Sequence, residues 1–271
     1  MPPAQALLVL GATSQYVGAG VAVLLFNAVE PSVLAWLRSV FAALVLCAWR
    51  RPWNTTWTRR RLATAAAFGV VLVLVNVTFY LAIAHLPLGT AVAIEFVGPV
   101  AVAAIGSRRG RDFVGLAILV VGVGLLSGVH LSGSAVGVGW ALTAGVGWAA
   151  YIVLGHRLAS APDLRPQDGL AVGITIGALV LAPLFAWHTG RVFTSSDVFL
   201  RAAFVAIAST VVPYSLEQLA MRRLARHRFA VMLALLPATA TVAGAVVLGQ
   251  LPSGADATGI ALVIAAIWLT A

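Results

Sequence analysis

RRRLATAAAFGVVLVLVNVTFYLAIA, residues 59–84, decides the fold. Three arginines, Arg59 to Arg61, open a run from Leu62 to Ala84 that carries no charged side chain. A hydrocarbon slab roughly 30 Å thick is crossed by about 20 apolar residues rising 1.5 Å each, so the run reads as a membrane-spanning helix. Its arginine end stays at the aqueous boundary. Working outward, the same grammar recurs on both sides, giving predicted spans at 6–26, 31–49, 62–84, 88–106 and 113–129, then at 135–154, 169–187, 198–220, 229–249 and 254–271. Composition agrees: 61% of the 271 residues are hydrophobic and 9% charged, against about 25% charged in a soluble domain. Water is not the solvent around most of this chain. The fold class expected is an all-α polytopic membrane protein of ten transmembrane helices.

The charge pattern excludes several functions and sets the orientation. All 17 basic residues are arginines, which cluster in short connections and not along an exposed stripe, so nucleic acid is not a partner. Between the even and odd spans lies only Arg191 on one side, against fourteen arginines on the other: Arg50, Arg51, Arg59, Arg60, Arg61, Arg108, Arg109, Arg111, Arg157, Arg165, Arg222, Arg223, Arg226 and Arg228. Positive residues are retained inside, so both termini are expected in the cytoplasm of a bacterial inner-membrane protein. No Lys or Arg precedes Arg38, so the first run reads as a retained helix and not a cleaved signal. Cys47 is a single cysteine in an apolar run, which excludes an intramolecular disulfide. No Gly-Lys-Ser/Thr phosphate loop and no His-Glu-x-x-His pair occur, so no cofactor, metal or enzymatic activity is expected.

The chain can be laid on itself. Leu81-Ala82, Leu86 and Pro99 match Leu219-Ala220, Leu224 and Pro237 at an offset of 138, and Asp112-Phe113-Val114-Gly115 matches Asp256-Ala257-Thr258-Gly259 after six residues of slack. A first repeat over 1–133 and a second over 134–271 follow. Five helices per repeat is an odd number, so the second copy enters from the opposite face. Inverted duplication of this kind is typical of secondary transporters, whose substrate sits near midplane between the repeats.

Charged groups inside hydrocarbon are expensive and point to function. Arg38 and Glu95 lie seven residues from the outer starts of co-directional spans, about 10 Å below the outer edge at 1.5 Å per residue. They either bind the two ends of a zwitterion or lock two helices as a buried salt bridge. Pro99 removes the donor for the Glu95 carbonyl and Pro237 the donor for that of Leu233, so both helices should break there. Glu217, close to Arg222 and Arg223, reads as a gate or interfacial ion pair. Ser14, Gln15, Asn76, Tyr80, Trp148, Tyr151 and Tyr214 are further candidates for a cavity wall, with Trp148 and Tyr151 on one helical face. Arg201, near its helix start, can snorkel outward. Gly18-Ala19-Gly20 and Gly173-Ile174-Thr175-Ile176-Gly177 read as close helix crossings.

The stretch from Pro87 to Pro99, PLGTAVAIEFVGP, followed by Ser107-Arg108-Arg109 and Asp112-Phe113, resembles the threonine/homoserine exporter branch of the EamA family, in the drug/metabolite transporter superfamily. Trp148 to Ile152, Ser209-Thr210, Pro213-Tyr214-Ser215-Leu216-Glu217 and the surroundings of Arg38 extend the similarity over essentially the whole chain. The resemblance implies ten helices in two EamA repeats around a central cavity. It also implies antiport of small amino acids such as threonine and homoserine against protons. The chain departs from many relatives in its ninth span, where Leu236 precedes Pro237 and Gln250 follows Gly249 in place of glutamates; coupling through acids there does not carry over. The sequence ends at Ala271 inside its last span without the polar tail of relatives, and a trimmed C-terminus is expected.

Two rival readings keep the membrane architecture. One changes the cargo to a drug or other metabolite, as happens within the superfamily; the other is a scaffold without transport, which would need Arg38 and Glu95 dry and fully paired. Partners are therefore a small solute, protons and the bilayer, with assembly into a homo-oligomer left open by the sequence.

Overall fold

The computed structural model describes residues 3–106, 110–126, 135–233, 235–249 and 254–270, and no strand occurs among them. Its helices are α1 (Ala4–Leu25), α2 (Pro31–Arg50), α3 (Arg59–Ile83), α4 (Leu88–Glu95), α5 (Val97–Gly106), α6 (Gly110–Leu126) and α7 (Ala135–Ala159). They continue with α8 (Pro166–Phe185), α9 (Gly190–Thr194), α10 (Ser196–Ala206), α11 (Val212–Arg223), α12 (Arg226–Met232), α13 (Leu235–Leu248) and α14 (Gly254–Thr270). Each predicted span falls largely on helix among the described residues. Among the described residues, six helical stretches are long and apolar enough to cross a membrane, and the remaining four spans are shorter or divided. The expected repeat boundary at 133/134, the end of the fifth span, Ser107, Arg108, Arg109 and Gln250 lie outside the described residues.

Helix starts follow local chemistry. Pro31 and Pro166 occupy the first positions of α2 and α8, where a missing N–H costs nothing. Thr58 caps α3 by accepting from the Arg61 backbone N–H at 3.3 Å. Between α4 and α5 the helix breaks at Phe96, three residues before Pro99, as the missing proline donor requires. The second break takes a different form. The Leu233 carbonyl is not left free: it accepts from the Leu236 N–H at 2.8 Å, a tighter turn that replaces the bond Pro237 cannot make.

Burial does not sort by polarity as it does in a soluble protein. The largest fully buried side chains include Arg38, Tyr16, Tyr80 and Tyr151, while Ile105 is 87% and Val246 80% exposed. Leu44, Val146 and Leu179 also face outward. With large apolar side chains on its surface, charged ones in its interior and six helices long and apolar enough to cross a bilayer, this is a multi-pass membrane protein.

α3 packs between α7 and α8; α1 packs on α11 and α13; α2 lies on α8, α6 on α14, and α5 on α7 and α12. Small residues set the closest crossings. A Cβ at Gly69 would overlap the Gly173 carbonyl, and one at Gly177 would overlap that of Gly69, so α3 and α8 touch backbone to backbone. Gly145 does the same for α7, where a Cβ would stand 2.7 Å from the Glu95 carbonyl. Cys47 packs 3.3 Å from the Thr175 hydroxyl.

At the arginine-rich end, the Arg50 Nε donates to Asp168 Oδ1 at 3.0 Å and the Thr55 hydroxyl to Oδ2 at 3.0 Å, tying α2 to the first turn of α8. The Asp168 side chain is only 4% exposed. Asp168→Ala leaves both donors without their acceptor and removes an acid from a helix N-terminus. It is expected to cost about 2–3 kcal/mol, read as a lower unfolding midpoint of the purified protein in mild detergent. An unchanged midpoint would remove this bridge from the stability of the fold.

Candidate functional site

Six elements converge on one polar cavity at the centre of the bundle. Gln15 reaches it from α1, Arg38 from α2, Asn76 from α3 and Glu95 from the last residue of α4, with Trp148 and Tyr151 from α7 and Tyr214 and Glu217 from α11. Leu72, Val75 and Phe79 close its apolar side. Its free space, about 20 Å³, holds roughly one water.

The hydrogen bonds fix most of these groups. Arg38 Nη2 donates to Asn76 Oδ1 at 2.7 Å, and the Tyr214 hydroxyl donates to the same oxygen at 2.7 Å. Two donors on one oxygen settle which way the amide faces, and the opposite group, Nδ2, has no partner among the described residues. Arg38 Nη2 also lies 3.4 Å from the Tyr214 hydroxyl, while Arg38 Nε and Gln15 Oε1 are buried without partners among the described residues. The Tyr151 hydroxyl donates to Glu217 Oε2 at 2.7 Å.

Glu95 and Arg38 therefore share a cavity without sharing a bond: among the described residues no ion pair within 4.0 Å joins them. The salt-bridge alternative fails on that distance. Asn76 and Tyr214 hold the guanidinium through Nη2 instead. Glu217, expected as a gate or interfacial ion pair, lies deeper than its place in the sequence indicates. It is 3% exposed, bonded to Tyr151, and part of the cavity wall. Tyr80 does not line the cavity; its ring lies under the Arg38 guanidinium, 4.8 Å from centroid to Cζ, and stiffens it from behind. Pro99 stands one turn beyond Glu95, and Pro237 interrupts α12 and α13. Arg201 pairs with Asp197 at 2.9 Å on an exposed face.

One positioning device was not legible beforehand. Ile207–Val211 forms a π turn between α10 and α11, just ahead of Pro213, whose missing N–H loosens the ladder there. The turn is clamped to α1: Ser14 donates to the Ala208 carbonyl at 2.7 Å and Ser209 to the Gln15 carbonyl at 3.0 Å. Gly18 leaves room for that contact, since a Cβ there would collide with the Ser209 hydroxyl. The clamp sets where Tyr214 and Glu217 enter the cavity. Tyr214 so placed meets Asn76, 138 residues away, the same offset as between Pro99 and Pro237.

Among the described residues no group of three or more His, Cys, Asp or Glu side chains could hold a metal. Chemically the cavity offers donors from Arg38 and Asn76, acceptors from Glu95 and Gln15, and a second carboxylate at Glu217. Such a set matches a small molecule with an anionic and a cationic end.

Comparison with known proteins places this arrangement. Residues 135–271 match the model of the EamA-like transporter family. The threonine/homoserine exporter RhtA of Escherichia coli strain K12 is 35% identical over 267 residues, covering 96% of this chain and 88% of that protein. The exporter of the same name from Salmonella typhimurium strain SL1344 is 34% identical with the same coverage. A crystal structure 18% identical in sequence superposes on 98% of this chain and 96% of its own, with a TM-score of 0.71, so the fold is shared. Taken with the polar cavity at the heart of an apolar bundle, these matches establish that the chain belongs to the EamA-like transporter family.

Proposed function

We propose that this protein exports small amino acids such as threonine and homoserine across a bacterial inner membrane, in exchange for protons. One observation carries the reading: Arg38 and Glu95 face the same buried cavity, yet no bond joins them. Two opposite charges held apart inside a membrane protein each lack the partner that normally offsets their desolvation. A zwitterion supplies both, its carboxylate to Arg38 and the free Asn76 Nδ2, its ammonium to Glu95 and Gln15 Oε1. The scaffold alternative would require the reverse arrangement, a dry and closed ion pair.

Alternating access is read from an inverted duplication over ten spans. The helix packing supports it, because exchanging the halves maps the pairs onto themselves: α3 on α7 becomes α1 on α10 and α11, while α2 with α8 and α6 with α14 are each other's counterparts. Asn76 and Tyr214, corresponding positions at the 138 offset, meet each other at 2.7 Å. The arginine tally supports cytoplasmic termini. A cavity of about 20 Å³ does not admit an amino acid, so loading requires the halves to part.

The test uses inside-out vesicles with an imposed pH gradient and labelled threonine. Wild type should show saturable, gradient-driven uptake, and Glu95→Gln should reduce it on the order of 100-fold at low substrate, since a buried charge partner is worth about 2–5 kcal/mol. Absence of uptake in wild type would end the substrate claim, and wild-type kinetics in Glu95→Gln would take Glu95 out of the site.

A further inference from the structure

The arginine-rich end holds a second feature that the transport cavity does not use. The first turns of α3 and the last turn of α7 flank an open cleft of about 800 Å³. Its charged wall is Arg60, Arg61 and Arg157, joined by Ser160 and Pro162. Arg61 is held in place: its Nη2 donates to the Pro162 carbonyl at 2.7 Å and its Nη1 to that of Thr56 at 3.4 Å. The nearest carboxylate to it, Asp163, is 4.0 Å away with a side chain 90% exposed. Arg60 and Arg157 are exposed and form no ion pair among the described residues. Three guanidinium groups thus face a common space with one solvated carboxylate to offset them.

Depth decides what occupies it. Leu62 follows Arg61 directly and lines an entirely apolar crevice with Trp53, Trp57 and Cys47. One turn of α3 therefore carries guanidinium on one side and exposed apolar surface on the other, beside two tryptophans. That is the composition of a membrane interface, where basic pockets between helices meet lipid headgroups. We propose that this cleft binds the phosphate of an anionic phospholipid, with Arg60 and Arg157 as its charged ligands and Arg61 as a fixed wall. Guanidinium groups suit the task because they grip phosphate oxygens bidentately and are weakly hydrated. Occupancy bridges α3 to α7, and hence the two halves of the chain. The assignment is independent of which solute the protein carries.

The full chain in neutral detergent micelles is titrated with phosphatidylglycerol, with phosphatidylcholine or with inorganic phosphate, while thermal unfolding is followed. Wild type should show a saturable rise in unfolding temperature with phosphatidylglycerol and none with the other two. Arg60→Gln combined with Arg157→Gln should weaken the apparent affinity for phosphatidylglycerol about 25-fold, about fivefold for each arginine near the surface, with the midpoint in phosphatidylcholine unchanged. If the double variant fails to fold, Arg157→Gln alone should show the fivefold loss. A variant titrating like wild type, or inorganic phosphate stabilising as well as the lipid, would overturn the proposal.

Discussion

Arg38→Gln is expected to abolish amino-acid transport while leaving the protein folded. The substitution removes the one cation that lines the cavity among the described residues and a donor to Asn76 Oδ1, but Tyr214 still donates to that oxygen and keeps the amide oriented. It also removes a buried charge whose desolvation the fold must offset, so stability should change little. The effect falls on binding: losing a desolvated partner for the substrate carboxylate costs about 3 kcal/mol, on the order of 100-fold in uptake at low threonine. Arg38→Lys separates charge from geometry. An ammonium cannot reach Asn76 and a carboxylate with the same planar fork, so about tenfold of the loss should remain. Uptake normalised to monodisperse protein, measured by size-exclusion fluorescence, makes the comparison. Should Arg38→Gln transport as wild type does, the zwitterion reading is wrong.

Gly69→Val should instead destroy the fold. The added Cβ overlaps the backbone carbonyl of Gly173, which no rotamer change can move aside, and valine brings two further methyl groups. Overpacking of a tight core costs about 1–3 kcal/mol when side chains can give way; here two helices must separate, so the upper end or beyond is expected. Asn76 lies two turns along α3 from Gly69, and parting α3 from α8 would carry it out of line with Arg38. Loss of the monodisperse peak and of transport should come together. Gly139→Ala supplies the control, because its added carbon meets nothing within 4 Å beyond its own stretch of helix backbone, and the variant should behave as wild type. A well-behaved Gly69→Val would show that the crossing is looser than the backbone positions indicate.

Much of the architecture was legible because hydrocarbon imposes a simple rule. Length and apolar content located the helices, and Pro99 announced the break at Phe96. The glycines of 173–177 were readable as a crossing, since small residues have few other uses at that spacing. What the sequence could not supply was the partnering of polar groups across long separations. Arg38 and Glu95 were placed at one depth by counting, but whether they touch depended on Asn76 and Tyr214, 38 and 176 residues from Arg38. Glu217 looked peripheral because Arg222 and Arg223 follow it along the chain; in three dimensions Tyr151 holds it inward. The π turn escaped for a related reason. Pro213 signals a missing donor, but only the clamp from Ser14 and Ser209 decides that the slack is taken up as a widened turn and not as a kink.

The tightness of the central cavity has one further consequence. Relay of protons through a pore needs an unbroken file of waters, and a chamber with room for about one cannot host such a file. In this conformation the chamber holds no such file among the described residues, so charged side chains can sit at the centre of the bundle without opening that route of proton leak across the membrane.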